Sequence, residues 1–109
     1  FPVNAHTTAS DALWVGLPII TMSGKSLVSR VAGSLLSSMN VPELITYNYT
    51  DYKNLAIKLS NDREFYNKIK LKINNNKKTE PLFNTKKFTK NLENIYWDLF
   101  TNFKNKNKI

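Results

Sequence analysis

Ile19-Ile20-Thr21-Met22-Ser23-Gly24-Lys25-Ser26-Leu27-Val28-Ser29-Arg30-Val31-Ala32-Gly33-Ser34-Leu35-Leu36-Ser37-Ser38-Met39-Asn40-Val41-Pro42-Glu43-Leu44-Ile45-Thr46-Tyr47 holds two hydrophobic periods, and the switch between them decides the fold. Residues 19–22 form a short apolar run rich in β-branched side chains, the pattern of a buried parallel strand. Ser23-Gly24-Lys25 supplies a turn. Leu27, Val28, Val31, Ala32, Leu35, Leu36 and Met39 then recur every three to four residues, the stripe of a helix that buries one side. Asn40 and Pro42 stop that helix, and residues 43–47 read as a second short strand. Strand, helix and strand within about 30 residues make a βαβ crossover, the unit of a doubly wound sheet.

Upstream, Asn4-Ala5-His6-Thr7-Thr8-Ala9-Ser10-Asp11-Ala12-Leu13-Trp14 predicts a helix over residues 8–15. Gly16 suits the left-handed residue past its end, and Pro18 prevents continuation. The first turn of a helix exposes unpaired N–H groups and the positive end of the peptide dipoles, which favours anions such as phosphate. Thr7 and Thr8 add hydroxyl donors, His6 a ring donor, and Asp11 an acceptor for sugar hydroxyls. Together they suit a nucleotide diphosphate attached to a sugar. A plainer reading stands beside it, with Thr7 and Thr8 as N-cap residues, Asp11 as a first-turn acid and His6 as a surface group.

The rest of the chain reads as helical. Thr50 caps a helix carrying Leu55, Ala56 and Leu59, and Asn61 with Glu64 resembles a capping box ahead of Phe65, Ile69 and Ile73. Residues 74–78 form a polar break. Asn84 or Thr85 opens the last helix, whose Phe88, Leu92, Ile95, Leu99 and Phe103 recur at helical spacing and are expected to pack on the domain. Residues 102–108 are expected to fray. Leu13 and Trp14 are expected in the core, and Arg30, inside an apolar helix, is expected to pair with a carboxylate or a helix end.

Several of these motifs, in this order, carry a resemblance. Asn4-Ala5-His6-Thr7-Thr8-x-x-Asp11-x-Leu13-Trp14-x-Gly16-x-Pro18 is similar to the donor-binding half of protein O-GlcNAc transferases, most of all the bacterial ones. Leu27-Val28-Ser29-Arg30-Val31-Ala32-Gly33-Ser34 and Pro81-Leu82-Phe83-Asn84-Thr85-Lys86-Lys87-Phe88 continue the match, while residues 49–79 agree mainly in helical pattern. The resemblance implies an α/β fold, part of the Rossmann-like C-terminal domain of a GT-B glycosyltransferase with an α-helical tail. Residues 1–109 would be one portion of that nucleotide-sugar domain, and residues 85–103 the terminal helix that crosses back to the other domain, with Tyr96, Trp97 and Phe100 broadening its face.

The same resemblance implies transfer of N-acetylglucosamine from UDP-GlcNAc to Ser or Thr of proteins. His6, Thr7 and Thr8 would meet the diphosphate and Asp11 the ribose hydroxyls. Fucosyl-transferring plant relatives lack the His-Thr-Thr-x-x-Asp arrangement, which points to UDP-GlcNAc. Partners would be the UDP-sugar donor, a protein acceptor, a missing N-terminal GT-B domain and tetratricopeptide repeats. No catalytic group, metal site or cofactor is assigned to this chain, and Lys25 is given no function. The compartment implied is the cytoplasm. The alternative is a noncatalytic nucleotide-binding or protein-interaction fragment.

Composition bounds these readings. With 109 residues the chain is one domain at most, short of the two domains of a GT-B enzyme, and inactive alone on that expectation. It starts at Phe1 inside a motif, as a piece of a longer protein does, and half a sheet would be marginal by itself. Cysteine is absent, which excludes disulfides and thiolate metal sites, and His6 is the single histidine. No apolar run reaches the roughly 18 residues of a membrane span. Asn48-Tyr49-Thr50 fits a glycosylation sequon, read as chance. The charge of +8 sits wholly in residues 51–109, which hold fourteen basic and six acidic residues. Fourteen of the sixteen bases in the chain are Lys, accompanied by fifteen Asn, as AT-rich coding produces on solvated faces, so specific nucleic-acid binding is not expected.

Overall fold

Residues 19–47 fold as a βαβ crossover, with shorter strands than their apolar runs predict. In the computed structural model, which describes residues 1–107, β1 is Thr21–Met22 and β2 is Ile45–Thr46. The two are parallel, with Thr21 opposite Ile45 and Met22 opposite Thr46. The Thr46 hydroxyl donates to the Thr21 carbonyl at 2.8 Å, and the Ser23 amide extends the pairing to the Thr46 carbonyl at 2.8 Å. Pro42 does more than stop a helix. It opens a 3₁₀ turn, Pro42–Leu44, which removes Glu43 and Leu44 from the second strand.

The crossover helix also starts later than its stripe suggests. Leu27–Ser29 is a 3₁₀ turn, and α2 is Val31–Ser38. Ser29, buried, donates its hydroxyl to the Ser26 carbonyl at 2.9 Å and accepts from the Ser26 hydroxyl at 3.0 Å. Such local bonds compete with the helical ladder and fix a turn instead. Leu27 is thereby left 81% exposed, while Ala32, Leu36 and Met39 are buried.

Ahead of the sheet, α1 is Thr7–Trp14. It ends in a left-handed stop at Gly16, φ +82, where the Gly16 amide donates to Leu13 and the Leu17 amide to Ala12. Asn40, φ 55, ends α2 in the same way, with Asn40 donating to Ser37 and Val41 to Leu36.

After the sheet, α3 is Tyr49–Asn61, α4 is Arg63–Thr79 and α5 is Thr85–Lys106. Their N-caps are Asn48, Asp62 and Asn84, accepting from the amides of Asp51, Phe65 and Lys87. Thr50 therefore lies inside the first turn of α3, and Asn61 is the last residue of α3 rather than the cap of α4. The Asn48 carboxamide also donates to the Asp51 carboxylate at 2.6 Å, so the sequon asparagine is held in the cap.

The expected polar break at residues 74–78 is helical. Its partners are distant in sequence: the Asn76 carboxamide donates to the Met39 carbonyl at 2.8 Å and the Lys77 ammonium to the Trp14 carbonyl at 3.1 Å. Polar side chains of α4 thus satisfy the free carbonyls where α1 and α2 end. Leu13, Leu36, Met39, Val41, Leu44, Ile69 and Ile73 form the buried core between these three helices and the Pro42–Leu44 turn.

The last helix does not pack on this core. Phe88, Ile95, Leu99 and Phe103 are all more than half exposed, only Leu92 of the stripe is half-buried, and Tyr96, Trp97 and Phe100 are exposed too. The 3₁₀ turn Pro81–Phe83 attaches α5 to the domain and then lets it run away from it. The radius of gyration is 16.9 Å, against about 13 Å for a rounded domain of this length. Helical order continues to Lys106, past the expected fraying point, while Lys108 lies outside the described residues. Trp14 is likewise no core residue. It is 58% exposed and packs edge-on against Phe83 at 5.1 Å. The architecture is a partial α/β domain with a helical tail.

Urea unfolding checks this packing. Leu36→Ala should cost about 2–5 kcal/mol and Leu27→Ala less than about 0.5 kcal/mol. Gly16→Ala should cost more than about 1 kcal/mol, because a Cβ there adds left-handed strain and collides with the Asn74 carboxamide.

Candidate functional site

Helix starts leave backbone N–H groups without intrahelical partners, and these starts are satisfied in different ways. At α3, α4 and α5 the residue before the helix supplies a side-chain acceptor. At α2 the N-cap residue Arg30 supplies none, but the Asn4 carboxamide accepts from the Ala32 amide at 3.3 Å from 28 positions away. At α1 the N-cap is His6, with φ −104 and ψ −88, and its side chain makes no cap bond. Among the described residues, α1 is the one α-helix whose start has no side-chain acceptor.

Thr7 and Thr8 are the first two residues of α1, not its cap, so their amides are among those left open. The helical ladder begins where the Ser10 amide donates to the His6 carbonyl at 3.1 Å. Asp11 is the fifth helical residue, one turn in, rather than a first-turn acid. Residues three and four apart share a helix face, so Asp11 stands in line with Thr7 and beside Thr8. The buried face is opposite: Ala9 is 3% exposed and Leu13 is fully covered. His6, Thr7, Thr8 and Asp11 are all exposed. The structure therefore brings the four sequence-predicted residues onto one solvent-facing end of one helix.

That end combines open amide donors, two hydroxyls, an imidazole and a carboxylate. Amides with the positive helix end attract a phosphate group, and a carboxylate one turn further on accepts from vicinal hydroxyls. A cavity of about 430 Å³ borders it, lined by Asn4, Ala5 and Thr8 on this side and by Met22, Tyr49 and Tyr52 across from it. Arg30 is exposed at the junction into α2 and forms neither ion pair nor helix-end bond among the described residues, contrary to the pairing expected of it. Lys25 is exposed in the turn after β1. No group of three His, Asp or Glu side chains among the described residues is arranged to hold a metal ion. No helix there is long and apolar enough to cross a membrane.

Asn4 has no role that the sequence alone suggests. Its partner lies 28 residues downstream, so no local spacing could reveal the bond. The same is true of Phe83, whose contact with Trp14 joins the end of α1 to the start of the helical tail.

Comparison with known proteins shows the family to which this fold belongs. Residues 2–92 match the family model for glycosyl transferase family 41. The chain is 32% identical over 100 residues to a UDP-N-acetylglucosamine–peptide N-acetylglucosaminyltransferase of Caenorhabditis elegans, covering 92% of this chain and 9% of that protein. It is 32% identical over 98 residues to a probable enzyme of the same name, SEC, of Arabidopsis thaliana, covering 89% of this chain and 10% of the relative. Among solved structures, a mutant of the Thermobaculum terrenum O-GlcNAc transferase superposes with a TM-score of 0.77 at 26% identity, over 88% of this chain and 18% of that one. The chain thus spans about a tenth of the length of these curated relatives. With the family pattern running through residues 2–92, from the open start of α1 into the last helix, this chain belongs to glycosyl transferase family 41.

Proposed function

We propose that this chain supplies part of the UDP-diphosphate and ribose site of a GT-B enzyme that transfers N-acetylglucosamine from UDP-GlcNAc to Ser or Thr of proteins. The observation that carries the reading is the uncapped start of α1, with His6, Thr7, Thr8 and Asp11 exposed around it. The names of the relatives in worm and plant support the substrate class. The cytoplasm is the compartment that goes with this reading.

In such a transfer the bond from the sugar to the diphosphate breaks, and negative charge grows on the departing phosphate oxygens. Donors fixed in advance stabilise that charge without reorganising. The amides of Thr7 and Thr8 are held by the helix, and the helix is held by Ala9 and Leu13 on its buried side. The two hydroxyls and the His6 ring add donors at the same end. Asp11 accepts from the ribose hydroxyls and so sets the distance between nucleoside and phosphates. The uracil pocket, a further cationic phosphate ligand and the acceptor site belong to the rest of the enzyme on this reading.

The uncovered face of α5 fits the same picture. We assign it to docking against the other domain of the GT-B protein, as the terminal crossing helix. Phe88, Ile95, Leu99 and Phe103 provide the contact, and Asn94 lies on the opposite side of the helix. In the full-length protein, Leu99→Asp should lower the melting temperature by several degrees. Asn94→Asp should leave it within about a degree. Equal melting temperatures for the parent and both variants would remove the docking assignment.

Titration with UDP and steady-state kinetics of the full-length protein test the site itself. Asp11→Asn keeps the size and removes the charge, and bonds to charged groups contribute about 1.5–3 kcal/mol, so donor affinity should fall roughly ten- to a hundredfold. His6→Ala should reduce kcat as well, because its contact strengthens while the leaving group gains charge. Both variants should stay folded, since both side chains face solvent. Unchanged UDP binding and turnover in both would show that this helix start is only a structural end.

A further inference from the structure

We propose that Asn4 is a positioning residue that fixes the phosphate-binding start of α1 against the start of α2. The proposal rests on the reading of α1 given above and adds a residue to which no role has been attached. Asn4 is held twice by the segment that leads into the crossover helix. Its backbone amide donates to the Val28 carbonyl at 2.8 Å, and its side-chain oxygen accepts from the Ala32 amide at 3.3 Å. Those two partners straddle the junction at Arg30, where the 3₁₀ turn becomes α2.

The surroundings make this junction a firm anchor. The Gly24 amide donates to the Ser29 carbonyl at 3.1 Å, and Ser29 is 2% exposed. A Cβ on Gly24 would come within 2.9 Å of the Ser29 Cβ and 3.0 Å of the Phe1 ring, so the incoming segment lies directly on this turn. Ala32 itself is 4% exposed. Asn4 is half-buried, two residues before His6, and His6 takes an irregular backbone conformation with no side-chain bond to hold it. The geometry of the open amides is therefore set from outside α1. On its buried side Ala9 and Leu13 fix the helix axis, and at its start Asn4 fixes where the chain enters.

One bond does two jobs in this arrangement. The acceptor that α2 lacks at its own N-cap is supplied by Asn4, and the segment that must present His6, Thr7 and Thr8 is thereby tied to a buried part of the domain. A diphosphate bound at α1 needs donors placed within a fraction of an ångström, so a loose segment before His6 would weaken binding although no contact to the ligand is removed.

The test compares Asn4→Leu, similar in size but without an acceptor, with Asn4→Asp, which keeps an oxygen for the Ala32 amide. Both are made in the full-length protein. Hydrogen–deuterium exchange of the peptides covering residues 5–13 and 31–36 reports the tether without any ligand. Calorimetric titration with UDP, well below the melting temperature, reports the site. Asn4→Leu should speed exchange in both peptides and weaken UDP binding about tenfold or more, and Asn4→Asp should restore slow exchange in both. A bond that serves only α2 would speed exchange in residues 31–36 alone and leave UDP affinity at the parental value, and that result overturns the proposal. If the parent protein does not bind UDP, the nucleotide reading fails. In that case exchange in residues 5–13 alone decides whether Asn4 holds the start of α1: faster exchange in Asn4→Leu supports it and unchanged exchange overturns it.

Discussion

Ile69 and Ile73, one turn apart on α4, are the pair on which the rest of this chain depends. Two strands of two residues each cannot hold a βαβ unit together, because the ladder between them offers only a few hydrogen bonds. The unit is held instead by an apolar layer, in which these isoleucines close over Leu13 of α1, Leu36 of α2 with Met39 at its end, and Leu44 of the turn before β2. Each such side chain contributes about 1.5–3 kcal/mol on burial. A helix far along the chain thus completes the packing begun by the first forty residues. The exposed face of α1, with His6, Thr7, Thr8 and Asp11, takes no part in that packing and stays open to solvent.

Polar groups give the layer its direction. The carbonyl ends of α1 and α2 are occupied by Lys77 and Asn76 of α4, and the amide start of α2 is occupied by Asn4. Among the described residues, the start of α1 is the one α-helix start without a side-chain acceptor. Side chains from elsewhere in the fold thus meet the start of α2 and the ends of α1 and α2, and none of them meets the start of α1.

Much of this was legible in the residues. The first helix, its left-handed stop at Gly16 and the crossover through residues 19–47 follow from local period and turn chemistry and are present, the helix at Thr7–Trp14 rather than 8–15. The position of His6, Thr7, Thr8 and Asp11 at one helix end was legible for the same reason. Two further features depend on a distant partner and were not legible. Residues 74–78 read as a break because nothing nearby explains Asn and Lys in a helix; their partners are Met39 and Trp14. The stripe of α5 is helical, as its period says, yet exposed, because a period says which side is apolar and never what covers it. Caps were misplaced by one or two residues at Asn48 and Asp62, where adjacent polar residues offer rival starts.

The attachment of α5 through Pro81–Phe83 has a mechanical side. A helix of 22 residues is a stiff arm about 33 Å long, and a rotation of about 10° at its base swings the free tip by about 6 Å. The fulcrum of that arm is the ring of Phe83 against Trp14, and Trp14 is the last residue of the helix whose first turn is open. Whatever grips the far end of the arm therefore pulls with long leverage on a ring-to-ring joint a single short helix away from that opening.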